Sequence, residues 1–443
     1  MPLSQKNYLI VLIVIAFLVA GFFSLFFWDQ ELLGDGLHYS NLANSLVEDR
    51  TFSDNGQLNS RRDPGYPFFL AAIYTIFGPN VNVVYTIQIL LFVGICLVSY
   101  FLAKAIFQKE LLARLTAIIV ALYYPLAMHA GMVFTEILFT LLLLGFVHLL
   151  VSSLKTDKLW MYGIAGLILG MATLTRSVTL YLPIFLIVVI LVVGRKKLKQ
   201  SLLGGLVFIL VFGAVVAPWM IRNKKHFDEF AISTQSGPTI FFAVQRLRIK
   251  DSDLPKVFVA NILGDYFAQK MFGEYNRFEI EEGDYGQKLT ELDNFGLSQQ
   301  EINDEVGRIA MNEIKDAPLR YLLVVPPIEF LKMHAPIFPF NSVQGLFSDP
   351  SKYQNLPEAV KALIILGVRL AYWVFFGIVI YAIIQSRRSW RELIPIYTIL
   401  VYMIAVYSAL HGIPRYALPI YPFYIMFFSF GILYLLNQRN LTK

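Results

Sequence analysis

The sequence predicts an all-α polytopic membrane protein: a bundle of about ten (10–13) transmembrane helices with external juxtamembrane helices and a small external helical subdomain. Three observations predict it. Hydrophobic residues make up 57% of the 443 and charged residues only 15%, too little polar surface to keep a soluble chain of this size in solution. Several uninterrupted apolar runs approach or exceed about 17 residues, enough to cross a hydrocarbon layer roughly 30 Å thick. The basic residues collect in short loops between these runs, so the net charge of +6 reads as a topology signal and not as a nucleic-acid footprint.

Residues 8–28 form the first run. It is too long for a signal-peptide core and has no small-residue cleavage site behind it, so it reads as a first span. A polar stretch rich in Asp, Asn, Ser and Arg continues to about residue 63. PGYPFFLAAIYTIFG (64–78) is apolar but too short to span, and reads as an interfacial or re-entrant helix. Spans then recur near 82–105, 112–130, 133–153, 159–175, 178–194 and 200–220. After a polar block, three more close the chain near 362–384, 393–411 and 416–436. The organisation this implies is an N-terminal transmembrane catalytic module (1–221, with its first external loop at 29–80), an external block (222–361) and C-terminal transmembrane helices (362–443).

Within the block, APLRYLLVVPPIEFLKM (317–333) reads as a helix lying on the membrane, a further pair of crossings being the alternative. Amphipathic spacing near 301–315 predicts a helical subdomain over 274–316. Gly163, Gly166 and Gly170 suit close helix packing. Trp28, Tyr123, Tyr124 and Trp219 are most simply interface anchors. The single cysteine, Cys96, lies inside an apolar run and excludes an intrachain disulfide.

Orientation follows from charge. Lys104, Lys109 and Arg114, Lys155 and Lys158, GRKKLKQ (194–200) and QSRRSWRE (385–392) all fall on one side of a ten-span arrangement, together with both termini. The positive-inside bias makes that side cytoplasmic. The 29–80 loop and the 222–361 block, in which acidic residues outnumber basic ones, then lie outside. The expected location is a multi-pass inner or plasma membrane, with the active site on the periplasmic or extracellular side.

Charges beside or within spans are costly and therefore informative. Asp35 follows the first span, Arg61 and Arg62 precede the re-entrant piece, and Glu136 begins the fourth span. Arg176, Arg222 and Arg415 sit at later span ends, and Arg369 lies part-way into the eighth span. Guanidinium groups bind phosphate in bidentate fashion and a carboxylate serves as base, so this set suits a phosphate handled at membrane level. Each has a plainer reading. Asp35 is placed to cap a helix starting near Leu37, the arginines to snorkel as interfacial anchors, and Arg369 to pair with a neighbouring span. His38, His129 and His411 lack any metal-ligand spacing, so no metal residues are assigned.

GDGLHYSNLANSL (34–46) resembles the first external loop of GT-C-type glycosyltransferases, in the branch of the lipid A aminoarabinose transferases and protein O-mannosyltransferases. RDPGYPFFLAAIYTIFG (62–78), FTEILF (134–139), GLILGMATLTRS (166–177), APWMIRN (217–223) and PRYALPIYP (414–422) are similar to further segments of that family, in order. The resemblance implies a sugar donor linked to polyprenyl phosphate, transfer on the non-cytoplasmic face, and usually inversion at the anomeric carbon. It also implies a membrane lipid and an external glycan, lipid or protein acceptor as partners.

Mapped onto this chain, the resemblance makes Asp35 the catalytic carboxylate and Glu136 a second acidic position. Arg62, Arg176, Arg222, Arg415 and Arg61 become candidates for the donor phosphate, and His38, Tyr39, Tyr66 and Tyr416 candidates for the substrate pocket. Where relatives often carry a second acid beside the loop Asp, this chain has Gly36, so metal dependence is not implied. A divalent metal stays open, with His38, Asp29 and Glu31 as the side chains at hand. The rival reading is a transporter or flippase of lipid-linked saccharides, which calls for symmetric repeats and midplane ionisable groups. No repeat is evident here, and the charges cluster at one face.

Overall fold

A computed structural model describes residues 4–28, 30–54, 56–273, 280, 285–295, 297, 299–336 and 357–441. Asp29 and parts of the 274–316 and 317–340 stretches lie outside the described residues.

The described residues are helical nearly throughout, as a lipid solvent demands when backbone groups find no water to bond. The helices are α1 (Gln5–Ser24), α2 (Asp35–Glu48), α3 (Gly65–Phe77), α4 (Val81–Phe107), α5 (Glu110–Leu122), α6 (Tyr124–Met128), α7 (Glu136–Thr156), α8 (Leu159–Thr175), α9 (Leu182–Val193) and α10 (Leu198–Phe227). There follow α11 (Ser236–Val244), α12 (Leu254–Leu263), α13 (Asp265–Phe272), α14 (Tyr285–Asn294), α15 (Gln299–Asp316), α16 (Pro318–Met333), α17 (Glu358–Gln385), α18 (Trp390–Ala409), α19 (Pro414–Ala417) and α20 (Tyr421–Leu441).

Among the described residues seven helical stretches are long and apolar enough to cross a membrane: Gln5–Phe27, Val81–Phe107, Glu136–Thr156, Arg195–Phe227, Glu358–Gln385, Trp390–Ala409 and Pro414–Leu436. α5 and the stretch Tyr124–Gly131 that begins with α6 make an eighth when counted as one span, bent by 52° at Tyr123. The other two of the ten expected spans are the shorter apolar helices α8 and α9, of 17 and 12 residues. The bend has a sequence cause, because Pro125 cannot donate into the α5 ladder and restarts the helix near its own N-terminus.

The chain divides into two compact units. The first comprises Met1–Ile232, Phe375–Leu400 and Leu418–Lys443; the second comprises Ser233–Val374 and Val401–Ala417.

In the first unit α8 packs on both α7 and α10, and α4 packs on α1, α5 and α7. Glycine makes the closest approach possible. A Cβ on Gly166 would stand 2.4 Å from the Phe208 carbonyl oxygen, and one on Gly170 would stand 2.8 Å from Val215. This is the small-residue packing expected between helices that gain no hydrophobic energy by leaving lipid. α10 continues past the expected span end to Phe227 with Pro218 inside it, so Arg222 sits within a helix and not at its end. Side chains facing outward are apolar and exposed, Leu18 at 62% and Ile184 at 62%, as a lipid contact requires.

The segment between α2 and α3 carries a small antiparallel hairpin, β1 (Ser53–Asp54) with β2 (Gln57–Leu58), in the register Ser53↔Leu58 and Asp54↔Gln57. Trp219 is tied to this part of the protein. Its indole N–H donates to the Ile232 carbonyl at 2.9 Å, and its ring meets Phe52 edge-on at 4.9 Å, so a packing role stands beside the expected anchoring one.

In the second unit α11 lies on α15, joined at Gly237, where the Asn303 side-chain oxygen accepts the glycine N–H at 3.0 Å. Its apolar cores gather Phe241, Val244, Val306 and Ala310, and Val257, Ala260, Val324 and Ile328. Helices α14 and α15 fall within the described part of the expected helical subdomain, and α16 is the helix expected over 317–333, with Pro326 and Pro327 inside it.

Candidate active site

Asp35 is the first residue of α2. The preceding Gly34 takes φ 56°, ψ −129°, a backbone shape closed to most side chains, and so turns the chain from the end of α1 into the helix. Gly34 holds the cap position and no side chain caps the helix. Asp35 therefore stands one residue inside the helix. Its Oδ1 lies 2.8 Å from Arg62 Nη2, both side chains about a fifth exposed. An acid in the first turn is also favoured by the helix dipole.

Arg62 is held from below by Asn59, whose side-chain oxygen accepts the backbone N–H of both Arg61 (3.0 Å) and Arg62 (3.1 Å). Its guanidinium lies 5.5 Å from the centre of the Tyr39 ring, and Tyr39 meets Tyr66 edge-on at 5.2 Å. Burial pushes the Tyr39 phenol well above its usual range; Arg62 opposes this, while Asp35, Glu136 and Asp63 add to it. Four charges from three segments thus act on one phenol. Tyr66 is fully buried.

Glu136 opens α7 and is 2% exposed. Its Oε1 accepts from Arg176 Nη1 at 3.2 Å, and Arg176 also lies 5.7 Å over the Phe139 ring. The depth expected of Glu136 therefore comes with a cation, as burial of a carboxylate demands.

The remaining candidates are placed differently. Arg222 donates to the carbonyls of Asn59 (2.8 Å) and Phe52 (3.4 Å) and to the Asn223 side chain (2.7 Å), and lies over the Trp219, Phe227 and Phe52 rings. His38 is exposed and meets Asp54 at 3.1 Å. Arg61 is exposed. Arg415 and Tyr416 belong to the second unit, where Tyr416 stacks on Tyr407 at 5.0 Å. Arg369, also there, donates to the backbone carbonyls of Asn261 and Ile262. Among the described residues no group of three His, Cys, Asp or Glu side chains is gathered in a way that could hold a metal.

Two features escape sequence reasoning. Gln88, fully buried in α4, accepts from the Tyr66 hydroxyl at 3.0 Å and donates to the carbonyls of Ala130 (3.2 Å) and Met132 (2.8 Å), so it ties Tyr66 to the stretch that leads into Glu136. A lone glutamine inside an apolar span is the one signal that marks it. In the second unit Arg246 and Glu329, both 0% exposed, pair at 2.8 Å, and Glu329 also accepts the Gly412 N–H at 2.7 Å. No local spacing announces a pair 83 residues apart.

Comparison with known proteins bears on the family resemblance and the fold. Residues 61–221, which carry Arg62, Glu136 and Arg176, match the model of the family described as dolichyl-phosphate-mannose-protein mannosyltransferase. Among solved structures, the Archaeoglobus fulgidus oligosaccharyltransferase, tethered with an acceptor peptide, is similar over 99% of this chain and 51% of its own, at 16% identity and a TM-score of 0.52. The chain thus spans about half the length of that relative. ArnT from Cupriavidus metallidurans, bound to undecaprenyl phosphate, aligns with 97% of this chain and 78% of its own, at 14% identity and a TM-score of 0.42. No curated protein sequence matches. By its matching segment and its fold, the chain resembles the GT-C glycosyltransferases of the mannosyltransferase kind and is, like them, an all-helical multi-pass membrane protein.

Proposed function

We propose that the chain transfers a sugar from a polyprenyl-phosphate donor to an acceptor on the non-cytoplasmic face, with Asp35 as general base. The observation that carries this reading is the Asp35–Arg62 contact of 2.8 Å beside Tyr39 and Tyr66, because it sets a base next to a phosphate-binding group in a half-buried place.

In the proposed step Asp35 takes the proton of the acceptor hydroxyl. The acceptor oxygen forms its bond to the anomeric carbon as the bond from that carbon to the phosphate oxygen breaks, which inverts the centre. The polyprenyl monophosphate leaves with the electron pair. Its growing charge must be met, and a guanidinium with five N–H donors can hold a carboxylate through one nitrogen and a phosphate through another. Arg62 and Arg176 are the arginines best placed for this, each already oriented by a carboxylate. Arg222, spent on loop carbonyls and rings, is the clamp that holds the hairpin loop against α10. Arg415 and Tyr416 stay candidates by resemblance alone. The positive-inside pattern supports cytoplasmic termini and an outward-facing site, and the 222–361 block is the part suited to acceptor choice.

The test is Asp35→Asn. It keeps the size and the hydrogen-bonding reach but cannot take the proton, so transfer should fall by about 10²–10⁴-fold with folding and lipid binding intact. Turnover like that of the unaltered protein removes Asp35 from the mechanism.

A further inference from the structure

Asp63 stands between Arg62 and the proline before α3, and the transfer step makes no use of it. Its Oδ2 accepts both the backbone N–H (3.0 Å) and the hydroxyl (3.3 Å) of Ser177, a residue 114 positions later. Ser177 begins the single helical turn Ser177–Thr179 that follows α8, and Arg176, at φ −147° and ψ 110°, is the extended residue before it. An arginine cannot cap that turn, so a carboxylate from another element supplies the cap. The two segments also touch through Gly65. A Cβ there would stand 2.6 Å from the Thr175 nitrogen and 2.7 Å from the Leu174 carbonyl carbon, a contact only glycine permits.

The neighbours of this joint are the two arginines of the site. Arg62, adjacent to Asp63, reaches Asp35; Arg176, adjacent to Ser177, reaches Glu136. We propose that Asp63 is a positioning residue: by seating the 62–65 corner on the 174–177 corner, it sets the distance and angle between the Arg62 and Arg176 guanidiniums, and so the shape of the phosphate the site accepts. This rests on the reading that those arginines meet the donor phosphate. A shift of about 1 Å in such a pair separates a bidentate grip from a loose one.

The experiment uses the full chain in detergent, with undecaprenyl phosphate as probe, and measures lipid affinity and thermal unfolding on the same samples. Asp63→Ala should weaken lipid binding roughly tenfold per folded molecule, and Asp63→Asn, which keeps an acceptor oxygen, should recover most of it. The double variant Asp63→Ala with Arg176→Gln should bind no worse than Arg176→Gln alone, because a positioning residue acts only through what it positions. If Arg62→Gln and Arg176→Gln weaken binding while Asp63→Ala does not, the positioning role is overturned. It is overturned equally if the loss in Asp63→Ala matches its loss of folded protein. If neither arginine variant weakens binding, the phosphate reading itself falls.

Discussion

At the scale of single residues, the site is built from carboxylates that each found a guanidinium. The two pairs differ in solvent. Asp35 and Arg62 keep about a fifth of their side-chain surface open to solvent. Glu136 is sealed at 2% and Arg176 at 11%. Removing one partner of so buried a pair leaves the other charge without compensation, so Glu136→Ala should cost about 3–5 kcal/mol of stability. Replacing both, as Glu136→Leu with Arg176→Met, should restore most of that in thermal unfolding while leaving transfer abolished. Recovery of both stability and turnover in the double variant would show that the pair serves only the fold.

Elements set where these residues stand. α8 ends at Thr175 and is followed by an extended Arg176, so the end of this helix sets where the guanidinium that meets Glu136 stands. The position of that end depends on how closely α8 lies on α10, and Gly166 decides it: the Phe208 carbonyl occupies the space of a Cβ, and backbone cannot swing aside as a flexible side chain can. Gly166→Ala should therefore destabilise by about 1–3 kcal/mol through forced separation of the helices. It should also lower lipid affinity, because the α8 end carries Arg176 with it; a melting temperature and affinity equal to the unaltered protein's would show that the contact is not tight in solution. The hairpin loop is the second such element. β1 and β2 alone are too short to be stable, and Arg222 together with Trp219 supplies the packing they lack.

At the scale of the whole molecule, polar groups are hidden in both units, and acid should find them. In the second unit His334 is 3% exposed, its ring N–H given to the Phe330 carbonyl at 2.9 Å, and burial pushes its pKa down to about 4. The unfolded chain takes up that proton near the ordinary histidine value of about 6.5, so the neutral ring's contribution is whole above that pH. It falls away between about 6.5 and 4, by roughly 3 kcal/mol in all. Thermal unfolding at pH 7 and pH 5 should show the loss, and His334→Gln should show less of it; an equal pH dependence in the variant would assign the acid sensitivity to other groups.

How much of this is legible in the residue order depends on what kind of interaction each feature rests on. Transfer of an apolar side chain into lipid is a local, additive quantity, so the apolar spans, their approximate ends and the short apolar α3 can be read from the chain itself. Charges next to spans are costly wherever they lie, so Asp35, Glu136, Arg62 and Arg176 stand out as functional candidates without any geometry. What they meet does not. Partners such as Arg176 with Glu136, Asp63 with Ser177 and Arg246 with Glu329 lie 40, 114 and 83 residues apart, and nothing periodic links such positions. The same holds for Arg222, an end-of-span arginine by pattern and a loop clamp by contact. By itself the sequence determined which segments are apolar enough for lipid and which residue types are expensive there. The tertiary structure alone decided which charge answers which, because only folding brings distant segments within the few ångströms over which an ion pair or a hydrogen bond acts.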